Sequence, residues 1–126
     1  MPAPSDRRYT DTHEWHKLDG DTLTIGITQH AVDELTDITY VELKGAGTAL
    51  GAGDSIGEVE SVKATSDVYS AVAGEIVEVN GALSDDPSLI NQDPYDRGWL
   101  VRLRVTEPGS LGELMDAGVY NEKYDA

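Results

Sequence analysis

The chain contains no cysteine and no phenylalanine, and only 9 of its 126 residues are lysine or arginine. Without cysteine there is no disulfide framework, no thiolate zinc site and no cysteine nucleophile. Leu, Ile and Val, 28 in all, must supply most of the core; that is enough for one modest core in a chain of this length. The scarcity of basic residues against 24 acidic ones leaves a formal charge of −15. Such a surface repels nucleic acid and anionic membranes, so neither is expected as a partner. The acid is spread along the chain rather than gathered in a tail. It fits plain solubility or adaptation to high salt, where counterions screen self-repulsion, and composition does not separate the two. No apolar run reaches membrane-spanning length, and the opening "MPAPSDRRYTDTHEW" has no apolar signal region. The expectation is a soluble, unexported, cytoplasmic protein.

What is present is mainly alternation. Residues 1–126 read as one domain. "HEWHKLDGDTLTIGIT" reads as a hairpin around Asp19-Gly20. Thr28 caps a short helix, "QHAVDELT", with Ala31, Leu35 and Val32 facing inward. "ITYVEL" is a strand and "KGAGTALGAGD" is turn material. Three short strands follow, "SIGEVESV", "SDVYSAV" and "GEIVEVN", with turns at Lys63-Ala64 and Ala73-Gly74. "GEVESV" and "GEIVEV" look like a weak repeat. "LSDDPSLINQDPYDRG" is a loop with one helical turn at 87–91, and "GWLVRLRV" is another strand. Ser110 and Glu113 form a capping-box pattern that predicts a C-terminal helix over about 110–124, carrying Leu111, Leu114 and Met115 and interrupted at Gly118. The sum is mostly β, a small barrel or sandwich with short peripheral helices.

Catalytic patterns are missing. His13-Glu14-Trp15-His16 lacks the four-residue helical spacing of a zincin, and strand alternation sends its histidines to opposite faces, so no metal is read there. The glycines of "GAGTALGAG" match neither phosphate motif, and no serine sits in a nucleophile elbow. The chain is read as a non-enzyme. Lys63 stands out instead, as the only lysine between Lys44 and Lys123. At a hairpin tip its four-carbon stem projects from the body, flanked by Glu58, Glu60 and Asp67. An exposed lysine is ordinarily just a solvated charge. This placement, however, suits a modified, swinging amine.

At these residues the sequence resembles the H protein of the glycine cleavage system. The family's lipoylation signature, Glu-Ser-Val-Lys-Ala followed by a small residue, Ser-Asp and a Ser-Pro-(Val/Ile)-Ser-Gly turn, stands here as "ESVKATSDVYSAVAG", 60–74. The likeness continues through "THEW", "GIT" with "HA", "YVEL", "GEIVEVN", "PSLIN", "DPY" and "GW", in the family's order and over nearly the whole chain. Ala71 and Ala73 replace the usual proline and serine, which should loosen the turn slightly, and "LKGAG" stands where Leu-Pro-Glu-x-Gly is common. Val62-Lys63-Ala64 differs from the Met-Lys-Met typical of biotin carriers that share the fold.

The resemblance implies a barrel-sandwich hybrid, a flattened barrel of the lipoyl/biotinyl kind, with lipoic acid in amide linkage to Lys63 on a hairpin around 58–72. It implies a shuttle that takes the aminomethyl group of glycine from a pyridoxal-phosphate decarboxylase to a tetrahydrofolate-dependent aminomethyltransferase. Electrons then pass to a flavin dihydrolipoyl dehydrogenase that uses NAD, and a further enzyme attaches the lipoate. A monomer is expected. A cleft sheltering the loaded arm would use Thr12, Glu14 and Asp67 for its cationic amine, with Ala64 beside the tether. Ile27, His30, Ala31 and Leu35 would form its wall, although on their spacing the apolar members of that set equally read as core. Two other readings stay open: a lipoate relay that serves other 2-oxoacid dehydrogenase apoproteins, and a binding domain with Lys63 unmodified.

Overall fold

A computed structural model describes residues 3–105 and 108–124, with 108–110 by backbone alone. Among the described residues there are nine strands, with short helices after the third strand, between the eighth and ninth, and at the C-terminal end. β1 (Arg8–Tyr9), β2 (Glu14–Asp19), β3 (Thr22–Ile27), β9 (Val101–Arg104), β8 (Gly74–Val79) and β5 (Ala49–Leu50) form a six-stranded sheet in that spatial order. β4 (Ile38–Leu43), β6 (Ser55–Ser61) and β7 (Thr65–Tyr69) form a second, three-stranded sheet. Every pairing is antiparallel. The mostly-β, flattened barrel-sandwich expectation holds. The two strands of the weak repeat, β6 and β8, fall in different sheets.

Alternation explains the packing between the sheets. Leu23, Ile25 and Ile27 of β3, Val101 and Leu103 of β9, Ile56 and Val59 of β6 and Val68 of β7 are all buried in one cluster. The first hairpin turns one residue later than expected: Asp19 pairs with Thr22, so Gly20 and Asp21 make the turn, and Gly20 takes φ +65°. The α1 helix (Gln29–Leu35) starts where its cap predicts, with the Thr28 hydroxyl accepting the Ala31 N–H. Losing that cap costs about 1 kcal/mol. Its inward face is Val32 and Leu35, while Ala31 packs at the edge.

Three expectations need correction. The turn at Ala73-Gly74 is not a hairpin, since β7 and β8 lie in different sheets and residues 70–73 cross between them. The stretch read as a loop over 83–98 holds two single-turn helices, α2 (Ala82–Asp85), which begins one residue before it, and α3 (Leu89–Gln92), not one. The Ser110–Glu113 capping box opens no α-helix. Pro108–Glu113 is a 3₁₀ segment, Met115 bridges to Tyr9, and α4 spans Ala117–Tyr124 with Gly118 in its first turn. The Ser110 side chain lies outside the described residues.

Tertiary packing accounts for the shifted helix. A second core, unforeseen from the sequence, gathers Ala3, Tyr9, Trp15, Tyr95, Ala117 and Tyr120. Tyr9 and Tyr120 stack with centroids 4.7 Å apart. Both rings are fully buried, and such burial outweighs a terminal cap. No helix of the described residues is long and apolar enough to cross a membrane.

Candidate functional site

The β6–β7 hairpin carries Lys63. The ladder runs from Ser55–Tyr69 to Glu60–Thr65, and Ser61 N–H closes it by donating to the Ala64 carbonyl at 2.8 Å. The Ser61 hydroxyl oxygen accepts the backbone N–H of Lys63 at 3.1 Å and of Ala64 at 3.0 Å. Val62 N–H donates to the Asp37 carbonyl at 3.1 Å, docking the tip on the connection between α1 and β4. The tip backbone is therefore held while the Val62, Lys63 and Ala64 side chains face solvent. Among the described residues the Lys63 ammonium donates only to the Glu34 backbone carbonyl, at 3.3 Å. This is a presented primary amine on a rigid mount.

β7 leads from that tip to a second feature. Glu14, at the start of β2, is 1 % exposed. Its carboxylate accepts the Thr10 hydroxyl at 2.6 Å, the Thr12 hydroxyl and the Tyr69 N–H at 3.3 Å. No ion pair reaches it among the described residues. Burial raises the Glu14 pKa, and the two threonine hydroxyls and the Tyr69 amide partly offset this. Thr10, Thr12, Glu14, Gly53, Tyr69, Ser70 and Ala71 line a cleft of about 370 Å³. A buried carboxylate in a cleft, satisfied by neutral donors, is prepared for an incoming cation.

Thr12 and Glu14 thus come together as the sequence suggested, and the other candidates separate from them. Ile27 and Leu35 are buried in the main core, Ala31 packs against it, and none lines this cleft. His30 sits half-buried on α1 against His13. Asp67 pairs across the ladder with Glu58 and lines a different groove with Glu42 and Lys44. Its only link to the cleft is a 3.4 Å contact from the Tyr69 hydroxyl. Tyr69, Ser70 and Gly53 were not anticipated, because sequence does not say which loop faces β2.

One neighbour was legible from alternation. His16 follows Glu14 by two residues, so it shares that strand face. It is 1 % exposed and its Nε2 accepts the Ala71 N–H at 3.1 Å. A proline at position 71 has no N–H to give. The alanine that replaces the family's usual proline therefore ties the crossover to β2 rather than merely loosening a turn. Burial drags the His16 pKa from 6.5 to about 4. The unfolded chain takes up a proton below about 6.5, while the native ring does not until about 4. The His16 contribution to stability is thus full above pH 6.5 and lost as pH falls toward 4. Between pH 6.5 and 5 urea unfolding should lose about 2 kcal/mol that His16→Asn does not lose, a difference that cancels the opposite trend from Glu14. Parallel pH profiles for parent and variant would remove His16 as the cause.

Residues 7–126 match the family described as glycine cleavage H-protein. The glycine cleavage system H protein of Thermus thermophilus is 53 % identical over 122 residues, covering 97 % of this chain and 95 % of that one. That of Chlorobium limicola is 53 % identical over 124 residues, covering 97 % of each. A crystal structure of a glycine cleavage system H protein from Mycobacterium marinum superimposes with a TM-score of 0.89 at 42 % identity, covering 98 % of this chain and all of that one.

Proposed function

The chain belongs to the glycine cleavage H-protein family, and from that premise we propose that it is the lipoyl shuttle of a glycine cleavage system, with lipoate in amide linkage to Lys63. The observation that carries the reading is the mount of that lysine: a backbone pinned by Ser61 and Asp37 under a solvent-facing amine. An acylating enzyme can reach the amine without unfolding anything, and the docked tip fixes where the tether starts. Lipoate supplies a dithiol–disulfide pair that carries a one-carbon amine and two electrons.

The remaining work falls to the chain's own residues. Glu14 offers a buried negative charge to a cationic amine, with Thr10 and Thr12 orienting its oxygens. Tyr69, Ser70 and Ala71 wall the cleft and limit water. The net charge of −15 favours brief, electrostatically steered visits to partner enzymes. Those partners are the glycine decarboxylase, the aminomethyltransferase, the dihydrolipoyl dehydrogenase and a lipoate-attaching enzyme. The whole chain acts as one monomeric, cytoplasmic carrier domain and not as an enzyme.

Intact and peptide mass spectrometry of protein from its native host tests this reading. A mass increment of one lipoyl amide on the Lys63 peptide is expected. Unmodified Lys63 in every native preparation would take the carrier function away while leaving the fold.

A further inference from the structure

We propose that His13, His30 and Glu34 form a transition-metal site, suited to Zn²⁺, beside the hairpin tip. One nitrogen of each ring and a Glu34 carboxylate oxygen lie within 4.8 Å of one another. The site owes nothing to the "HEWH" spacing, whose second histidine turns inward to Ala71. His30 and Glu34 stand four apart on α1, so they share a helix face. Their Nε2–Oε1 separation is 3.1 Å. That is close to the ~3.3 Å between two ligands of one tetrahedral zinc with bonds of about 2.0–2.1 Å. Glu34 is exposed and His30 half-buried, so small rotamer changes can open that contact around an ion.

The third ligand is brought by tertiary structure. His13 adopts φ +70°, in a turn closed by its N–H to the Thr10 carbonyl, and its ring comes to 4.3 Å from that of His30. His13 Nδ1 and the Tyr120 hydroxyl are 2.8 Å apart, and the same hydroxyl is 2.8 Å from Thr28 Oγ1. In one consistent assignment Nδ1–H donates to Tyr120 and Tyr120 O–H donates to Thr28. That leaves the His13 Nε2 lone pair free for a metal, held in orientation through the other ring nitrogen as metal-binding histidines usually are. Two imidazoles and one carboxylate favour Zn²⁺, Ni²⁺ or Co²⁺ over Mg²⁺ or Ca²⁺, and three protein ligands leave a position open. The Lys63 ammonium, on the Glu34 carbonyl, sets this cluster beside the amine, yet the inference does not depend on lipoylation.

The test is calorimetric titration of Zn²⁺ into the full-length protein near neutral pH, with excess Mg²⁺ present to occupy the acidic surface. One Zn²⁺ per chain is expected. His30→Gln and Glu34→Gln should each weaken binding roughly tenfold or more, whereas Asp33→Asn on the same helix should not. Both ligand replacements are at accessible positions, and their melting curves check folding. Nitrogen-correlated histidine spectra should show zinc at His13 Nε2 with Nδ1 still protonated. Absence of stoichiometric binding under excess Mg²⁺, or parent-like affinity in His30→Gln, would overturn the site.

Discussion

Lys63→Arg is expected to abolish lipoyl incorporation and rescue of glycine-dependent growth completely, while the melting curve stays within about 0.5 kcal/mol of the parent. A guanidinium remains protonated at any working pH and does not serve as the acyl-accepting amine. The fold is spared because the lysine side chain is exposed and its ammonium hydrogen-bonds a surface carbonyl. Lipoate appearing on Lys44 or Lys17 in the variant, with growth retained, would end the assignment. In the parent protein, whose Lys63 both readings require, rescue of lipoylation elsewhere without rescue of glycine-dependent growth would point to the relay reading. Glu14→Ala gives the complementary result. Its Lys63 should be lipoylated normally, but the aminomethyl-loaded form should hydrolyse faster. Without the carboxylate the cleft offers the amine only hydroxyls, and the Tyr69 N–H loses its acceptor. An unchanged lifetime would detach Glu14 from the arm.

Gly57→Ala should destabilise the protein by at least about 3 kcal/mol, enough to lower the folded-to-unfolded ratio more than a hundredfold. Gly57 lies in β6, where the pairing with β7 shifts register, and has φ +146°. A Cβ built there would stand 2.2 Å from the Glu42 carbonyl oxygen and 2.8 Å from the Leu43 Cα. Those are backbone atoms of the paired strand, so relief requires opening the β4–β6 ladder rather than turning a side chain. β6 is also the strand that carries Lys63 at its far end, so the damage reaches the tip as lost lipoylation. Gly45→Ala, which meets nothing within 4 Å, provides the comparison. Urea unfolding of the two variants decides the matter: equal midpoints would show that the strand pair yields at little cost.

The readable parts of this fold are those governed by neighbours in sequence. Alternation in "TLTIGI" and "VRLRV" marked the buried rows of β3 and β9 because a strand face repeats every two residues. Thr28 marked the start of α1 because its hydroxyl bonds an amide three residues on. The same local logic failed at Ser110 and Glu113. There the chain must deliver Met115 to Tyr9 and Tyr120 to the aromatic core, contacts more than a hundred residues apart in sequence, and the capping signal yields to them.

Sequence by itself determined the mostly-β class, the family and the lone lysine at a hairpin tip, because short-range periodicity and an ordered set of motifs carry that information. The resemblance set Glu14 in a cleft with Thr12, and strand alternation puts His16 on the Glu14 face. Only tertiary structure decided what those groups meet. It set Tyr69 and Ala71 against the β2 face, moved Asp67 to another groove, sank Ile27 and Leu35 into the core and brought His13 to His30 and Glu34. Each of these depends on which loop crosses over which strand. Backbone periodicity is blind to such choices, because burying the two cores together is what selects among them.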